Sequence, residues 1–476
     1  MGTLSGKRLM IAGVGSGCGK TTAVCGILYG LKKLGLSVQA FKSGPDYIDP
    51  MFHKKVLGTE GGNLDLFFSG EDGVRCLLAE GMGQRDIAIV EGAMGYYDGI
   101  GMTEAAGCHA LAQAAGLPVV LVVDPAGMGL SVCAMIQGFL RYRQPSAIRG
   151  ILLNRVSRTR YETLKPFVEK LGVSVLGYIP VQTDLVLESR HLGLVTADEI
   201  EGFLPKLERF YNRIRHTIHW ELLLGLAAEA PPVLIRDNRF ADEACNLLSG
   251  DRDEKKAVKL RIGIARDEAF CFLYEENLRY LERRGCEPVF FSPLRDKGLP
   301  AGLDGLILCG GYPELYAGSL SENTEMRSSV REAVAGGMPC IAECGGFLYL
   351  QTSLTDHTGA VYEMAGVLPG RGCLARGLKR FGYIELTLEK GRLFGLEKLS
   401  VHAHEFHYCD CSEPGSDFLA KKASGAGSWQ TGVAADRLYA GFPHIYFRGN
   451  EAFAEGFLAQ AGRYKKQMEA GKGRGF

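Results

Sequence analysis

Residues 10–50 read MIAGVGSGCGKTTAVCGILYGLKKLGLSVQAFKSGPDYIDP, in the order apolar strand, glycine-rich loop, helix, second strand and acidic loop. Apolar Leu9 to Ile11 makes a buried strand, and Gly13, Gly15, Gly17 and Gly19 leave backbone N–H groups bare for close approach to anionic oxygens. Within the loop, Gly15, Ser16, Gly17, Cys18 and Gly19 lead to Lys20, a point charge. Thr21 and Thr22 follow, with hydroxyls where the helix opens and a Mg²⁺ ion would lie. Apolar residues from Ala23 to Leu34 recur at helical spacing and stop at Gly35. The stretch predicts a phosphate-binding βαβ unit and therefore an α/β fold built on a parallel sheet.

The loop departs from the common GxxxxGK[ST] spacing, because Val14 stands six residues before Lys20 and the glycine sits one place earlier at Gly13. A GxGxxG dinucleotide site uses backbone and helix dipole alone at the pyrophosphate, and Lys20 argues against it. At 476 residues the chain is too long for one core. Glycine, 64 of 476, suits a protein of many tight strand-to-helix loops. Lys+Arg and Asp+Glu both number 54, so no net field recruits nucleic acid or an anionic membrane. The 14 cysteines are scattered through apolar segments with no CxxC pair, as expected of reduced thiols in a cytoplasmic protein. No run approaches the ~18 apolar residues of a membrane span, and no signal-peptide pattern opens the chain.

Downstream, the strand Val38 to Lys42 delivers Asp46 and Asp49 at its carboxyl end, where open α/β sheets bind ligands. Asp46 is a candidate for the Mg²⁺ shell; the alternative for both aspartates is capping of a proline-bracketed turn. The strand Asp86 to Val90 delivers Glu91 ahead of Gly92-Ala93-Met94-Gly95, the placement of a Walker-B acid. Pro118 to Val123 and Gly150 to Leu153 are further strands, and Asn154 ends the second of them as either a base-reading amide or a turn cap. The alternation places one domain at 1–220. A linker segment with some helix follows at 221–258, containing Pro231-Pro232 and the charge run 251–256, and a second α/β domain occupies 259–450 before a tail at 451–476.

In that second domain, Met338 to Ala342 is a strand that runs into Glu343-Cys344-Gly345-Gly346. A cysteine at a strand-to-helix turn before two glycines is the thiol form of a nucleophile elbow, with the helix dipole expected to depress its pKa. The N–H of Gly345 and an N–H of the Gly310-Gly311 loop, Gly311 by preference, would form an oxyanion hole. The distal chain offers several histidines as the base the thiol needs, among them His444 after the turn Gly441-Phe442-Pro443. The run from Val401 to Cys411 also tempts a metal reading, but strand alternation puts 402 and 404 on one face and 407, 409 and 411 on the other.

Taken together, GSGCGKTT, KSGPDYIDPMFH, VEGAMGYYDG, ARDEAFCFLYEENL, FFSPLRD, GGYPELYA, ECGGFLYL and HEFHY resemble, in order, the cobyrinate a,c-diamide synthases, glutamine-dependent amidotransferases of cobalamin biosynthesis. The resemblance runs from about Leu9 to about Phe447. It implies an N-terminal P-loop domain similar to dethiobiotin synthetase, a C-terminal class I glutamine amidotransferase-like domain, and ATP with Mg²⁺. By position, Gly15 to Thr22 would hold the triphosphate and Thr21, Asp46 and Glu91 the Mg²⁺, with Cys344 as nucleophile and His444 as base. Substrates would be a corrinoid or related tetrapyrrole, L-glutamine and ATP, with no nucleic acid or membrane partner; a homodimer is compatible with this. Many class I glutaminases carry a glutamate two residues after the histidine. That position here is Tyr446, and Ala403 stands where Gly-His-Glu is the family pattern. Nickel-sirohydrochlorin and hydrogenobyrinate are rival macrocycles. A partitioning ATPase, which acts through partner binding, is remoter: Gly13, Val14 and Gly15 stand where its second lysine usually lies, and it would leave the Cys344 domain without purpose.

Overall fold

The strand β1 (Arg8–Gly13) is buried along its whole length, because it is the central strand of a parallel sheet covered on both faces. The computed structural model describes residues 2–59, 61–181, 197–236 and 259–472, and the chain divides into two compact units, Met1–Arg252 and Asp253–Phe476. In the first unit β1 is joined by β2 (Val38–Ser43), β3 (Asn63–Leu64), β4 (Ile87–Glu91), β5 (Val119–Val123), β6 (Ile148–Asn154) and β7 (Ser174–Ile179), in the order β3-β2-β4-β1-β5-β6-β7. Every pairing is parallel, so all strand carboxyl ends lie on one edge. The phosphate loop, Lys42, Glu91 and Asn154 are brought to that edge.

One face of this sheet is covered by α1 (Lys20–Lys33) and by the helices Ala197–Ile214 and Trp220–Ala228, which share a core with β1. Close packing sets the glycines of α1: a Cβ at Gly26 would meet the Phe210 ring at 2.5 Å, and one at Gly30 would meet Trp220 at 2.1 Å. The linker expected from 221 onward is therefore partly domain. Leu223, Leu226 and Ala227 are core residues, and the strand Val233–Ile235 pairs antiparallel with Gly2–Leu4. Residues 237–258, including the charge run, lie outside the described residues.

The second unit has a six-stranded sheet of β8 (Arg261–Ala265), β9 (Glu287–Phe291), β10 (Gly305–Leu308), β11 (Cys340–Glu343), a later strand pair, and a five-stranded antiparallel sheet packed beside it. The antiparallel sheet includes β12 (Arg380–Leu388), β13 (Ser400–His407), β14 (Phe418–Lys422) and β15 (Ser428–Thr431). The later pair is β16 (Val433–Ala435) and β17 (Leu438–Gly441), and β18 (His444–Ile445) closes the antiparallel sheet against β13. Strand order in the first of these sheets is β9-β8-β10-β11-β17-β16. Alternate residues serve opposite faces. Ile262, Ile264, Ile307 and Ile341 belong to one core, while Leu306, Leu308, Cys340 and Ala342 belong to the other.

The segment expected as a tail is instead helical. Glu451–Lys472 forms α3 (counting Gly345–Leu350, beside the cysteine, as α2), and Phe453, Ala454, Phe457, Leu458 and Ala461 are buried against the isoleucine face. Among the described residues no helix is long and apolar enough to cross a membrane.

Candidate active site

In the first unit the loop after β1 turns sharply to start α1. Gly19, the residue before the helix, has φ +89°, and a Cβ there would strike Asn154 Nδ2 at 2.0 Å, so only glycine fits. Added Cβ atoms at Gly15 and Gly17 would meet nothing within 4 Å, which leaves the loop open on the side where phosphate oxygens bind. Lys20 is 8% exposed and donates from Nζ to the Gly15 carbonyl at 2.9 Å, bracing the loop it would share with an anion. Asn154 is tied to the loop through part of its amide. Its Nδ2 donates to the Cys18 carbonyl at 2.8 Å and its Oδ1 accepts from Arg155 N–H at 3.0 Å. These bonds support the loop, because β6 ends directly beneath it, and they leave one amide hydrogen and one carbonyl lone pair of Asn154 outside them.

Thr21 Oγ1 donates to Glu91 Oε1 at 2.7 Å, so two of the three expected Mg²⁺ ligands are neighbours. Asp46 is committed differently. Its Oδ1 accepts from the Ile48 and Asp49 N–H groups at 2.8 and 3.3 Å, and Oδ2 lies 3.8 Å from Lys42 Nζ. Lys42, a residue the sequence reading passed over, is buried and also bonded to Asp49, with Glu91 Oε1 at 3.2 Å. Burial alone would depress the Lys42 ammonium, but Asp49, Glu91 and Asp46 outweigh it and hold the proton on firmly. For Glu91, burial opposes ionisation, yet Lys42, His53 and the Thr21 hydroxyl keep its carboxyl below the ordinary carboxylate range. Glu91 Oε2 accepts no hydrogen bond among the described residues and faces His53 Nε2 at 3.3 Å.

An ionised, incompletely satisfied carboxylate beside a threonine hydroxyl is a donor set that fits Mg²⁺. No group of three or more His, Cys, Asp or Glu among the described residues is arranged to hold a metal ion.

In the second unit, Cys344 follows β11 with φ +47° and ψ −100°, a conformation rare for a residue with a Cβ. The turn is pinned by the Cys344 N–H donating to the Gly441 carbonyl at 2.8 Å and the Gly346 N–H donating to Cys309 at 3.0 Å. A Cβ at Gly345 would lie 3.0 Å from Gly311 N, and one at Gly311 would meet the Ala269 carbonyl at 2.1 Å. The two expected oxyanion amides therefore stand side by side in a space that admits no side chain. His444 reaches the same loop: its Cε1 would be 2.4 Å from a Cβ on Gly310. β11 and β17 are adjacent parallel strands, so Cys344 and His444, both just past their ends, share one edge of the sheet.

The expected depression of the Cys344 thiol is not found. Burial, and next the nearby Glu314, push it well above the ordinary thiol value. α2 spans six residues, and the macrodipole of so short a helix cannot offset desolvation. The resting site thus holds a neutral thiol that needs a base.

The alternation expected from 402 holds in the register of β12 and β13, with His402 opposite Glu385 and His404 opposite Tyr383, but burial does not follow it. His402 is exposed, whereas Ala403, His404 and Glu405 are all buried, since β13 is paired on both edges and packed on both faces. His407 stacks on Phe442 at 4.0 Å with its Nδ1 2.6 Å from the Cys409 carbonyl, a structural commitment. Besides Lys42, sequence reasoning missed Glu343. The signal in both cases was a charged residue at the end of an apolar strand beside a motif already singled out.

Comparison with known proteins covers both units. Residues 9–195 match the CobQ/CobB/MinD/ParA nucleotide binding domain, and residues 261–452 match the CobB/CobQ-like glutamine amidotransferase domain. A cobyrinate a,c-diamide synthase of Caldanaerobacter subterraneus subsp. tengcongensis is 38% identical over 92% of this chain and 95% of its own length. Those of Clostridium acetobutylicum and Salmonella typhimurium are 37% and 36% identical, over 94% and 95% of this chain and 98% of each relative. With a nucleotide-binding unit and a glutamine amidotransferase unit both matched, and relatives aligned almost end to end, the chain belongs to the cobyrinate a,c-diamide synthase family of glutamine amidotransferase-type ligases in cobalamin biosynthesis.

Proposed function

We propose that this protein uses ATP and glutamine to convert the a and c acetate carboxylates of cobyrinate to amides through acyl phosphate intermediates. A carboxylate resists attack by ammonia, and transfer of the γ-phosphoryl group to its oxygen supplies a leaving group. Residues Gly15 to Thr22 would cradle the triphosphate, with Lys20 and Lys42 offsetting the charge that develops on the transferring group. Thr21 and Glu91 would hold Mg²⁺, with Asp46 positioning Lys42 and the acidic turn; bound there, the ion would neutralise phosphate charge. At the second site His444 takes the Cys344 proton, and the thiolate attacks the glutamine amide carbon. The Gly311 and Gly345 amides receive the oxyanion, ammonia departs, and water hydrolyses the thioester to glutamate.

One observation carries this reading: a single chain contains both an open phosphate cradle, beside a buried Lys42–Glu91 pair, and a strained cysteine beside the Gly311 and Gly345 backbone. The first activates carboxylates and the second releases ammonia. The test is mass gain on purified protein given ATP, Mg²⁺ and glutamine, with cobyrinate, hydrogenobyrinate and nickel-sirohydrochlorin offered in parallel. Two amidations on cobyrinate are expected. Preference for another macrocycle would retain the chemistry and change the substrate, whereas no amidation of any would overturn the reading.

A further inference from the structure

The residue two places after His444 is Tyr446, and its ring packs against Tyr274 at 5.3 Å. The imidazole therefore gets no carboxylate from the position where one is usual. A different acid stands beside it. Glu343, the last residue of β11 and the neighbour of Cys344, is 5% exposed, and its Oε2 lies 3.6 Å from Nδ1 of His444, itself 1% exposed. The carboxylate is fixed toward that strand because Oε1 accepts from the Ile445 N–H at 2.9 Å. One backbone bond thus couples the acid to the residue adjoining the base.

We propose that Glu343 is the positioning residue for His444, supplying from the nucleophile's own strand the carboxylate that other class I glutaminases place after the histidine. This rests on the Cys344–His444 reading above. An acid facing Nδ1 favours the tautomer with its proton there, which leaves Nε2 as the acceptor for the thiol proton, and it stabilises the imidazolium that follows. The separation is longer than a hydrogen bond, as contacts in unliganded sites often are before substrate tightens them. The arrangement also links the two reacting groups mechanically, since Glu343 and Cys344 are consecutive residues and cannot move independently.

Glu343→Gln tests this, because the amide keeps an acceptor oxygen for Ile445 while removing the charge. We expect kcat/KM for glutamine hydrolysis to fall at least about tenfold. The loss should lie in kcat, with KM for glutamine little changed, because the amide preserves the packing and removes only the charge behind the imidazole. Glu343→Asp should recover part of it. Unchanged hydrolysis in E343Q, or a loss accompanied by a lower melting temperature, carried by KM and not recovered in E343D, would overturn the proposal. Cys344→Ala and His444→Ala measured alongside separate the two levels: if either still hydrolyses glutamine normally, the underlying site assignment fails too, whereas their inactivity beside a normal E343Q fails the positioning role alone.

Discussion

Glu405 shows how much of the second site's electrostatics depends on single buried groups. It is 1% exposed, and its Oε2 has no hydrogen-bond partner among the described residues. Burial pushes its carboxyl up to about 7, with Arg380 opposing. In the unfolded chain the group titrates near the ordinary carboxylate value, so between about pH 4.5 and 7 the native state binds more protons than the unfolded one. Stability contributed by this group therefore falls as pH rises through that window. Glu405→Gln removes the penalty. Its stability relative to the parent should grow from pH 4.5 to 7, by on the order of 3 kcal/mol in all, as measured by denaturant midpoints of the second unit. A difference independent of pH would show that the charge is not what the site resists. Neither this burial nor that of Lys42 was legible in the sequence. HEFHY and KSGPD announce polar residues, but which of them lose solvent is decided by the strands that close over them.

Among elements, the phosphate loop and the cysteine elbow were legible because each binds a local conformation to a residue pattern: glycines before Lys20, and a strand running into Cys344-Gly345-Gly346. The two ends of the alternation were misread. The residues at 451–472 are rich in Ala, Glu and Lys, and read as a tail; yet Phe453, Phe457, Leu458 and Ala461 recur at helical spacing, and that stripe was the available signal. Phe457 lies against Phe394 at 5.5 Å, and its ring tip is 2.9 Å from where a Gly305 Cβ would sit. Phe457→Ala should accordingly destabilise the second unit by about 3–5 kcal/mol. Hydrogen exchange can check this. Protection should drop in β8, β10 and α3, and an effect confined to fraying of the last helical turns would return 451–472 to the status of a tail. The helix Trp220–Ala228 was expected within the linker and not as part of the first unit's core, for a related reason. It packs on β1 and β7 with Trp220 over Gly30 of α1, a complementarity that no local window contains.

For the whole molecule, the decisive property is that a nucleotide-binding unit and a glutamine amidotransferase unit share one chain, and in the proposed reaction they meet different needs: one supplies a leaving group and the other a nucleophile. Their separability can be measured without any assumption about the route between them. Cys344→Ala removes the only thiol in the elbow and should abolish glutamine-driven amidation by more than about a hundredfold, as loss of a covalent nucleophile does. Turnover should persist when a high concentration of ammonium salt at alkaline pH provides free ammonia. Lys20→Ala removes the cation of the phosphate loop and should abolish amidation with either nitrogen source, since no acyl phosphate forms for ammonia to attack. Steady-state rates of amide formation with each donor decide the matter. Loss of both activities in C344A would mean that the thiol acts beyond ammonia release, and ammonia-driven turnover in K20A would mean that carboxylate activation does not pass through that loop.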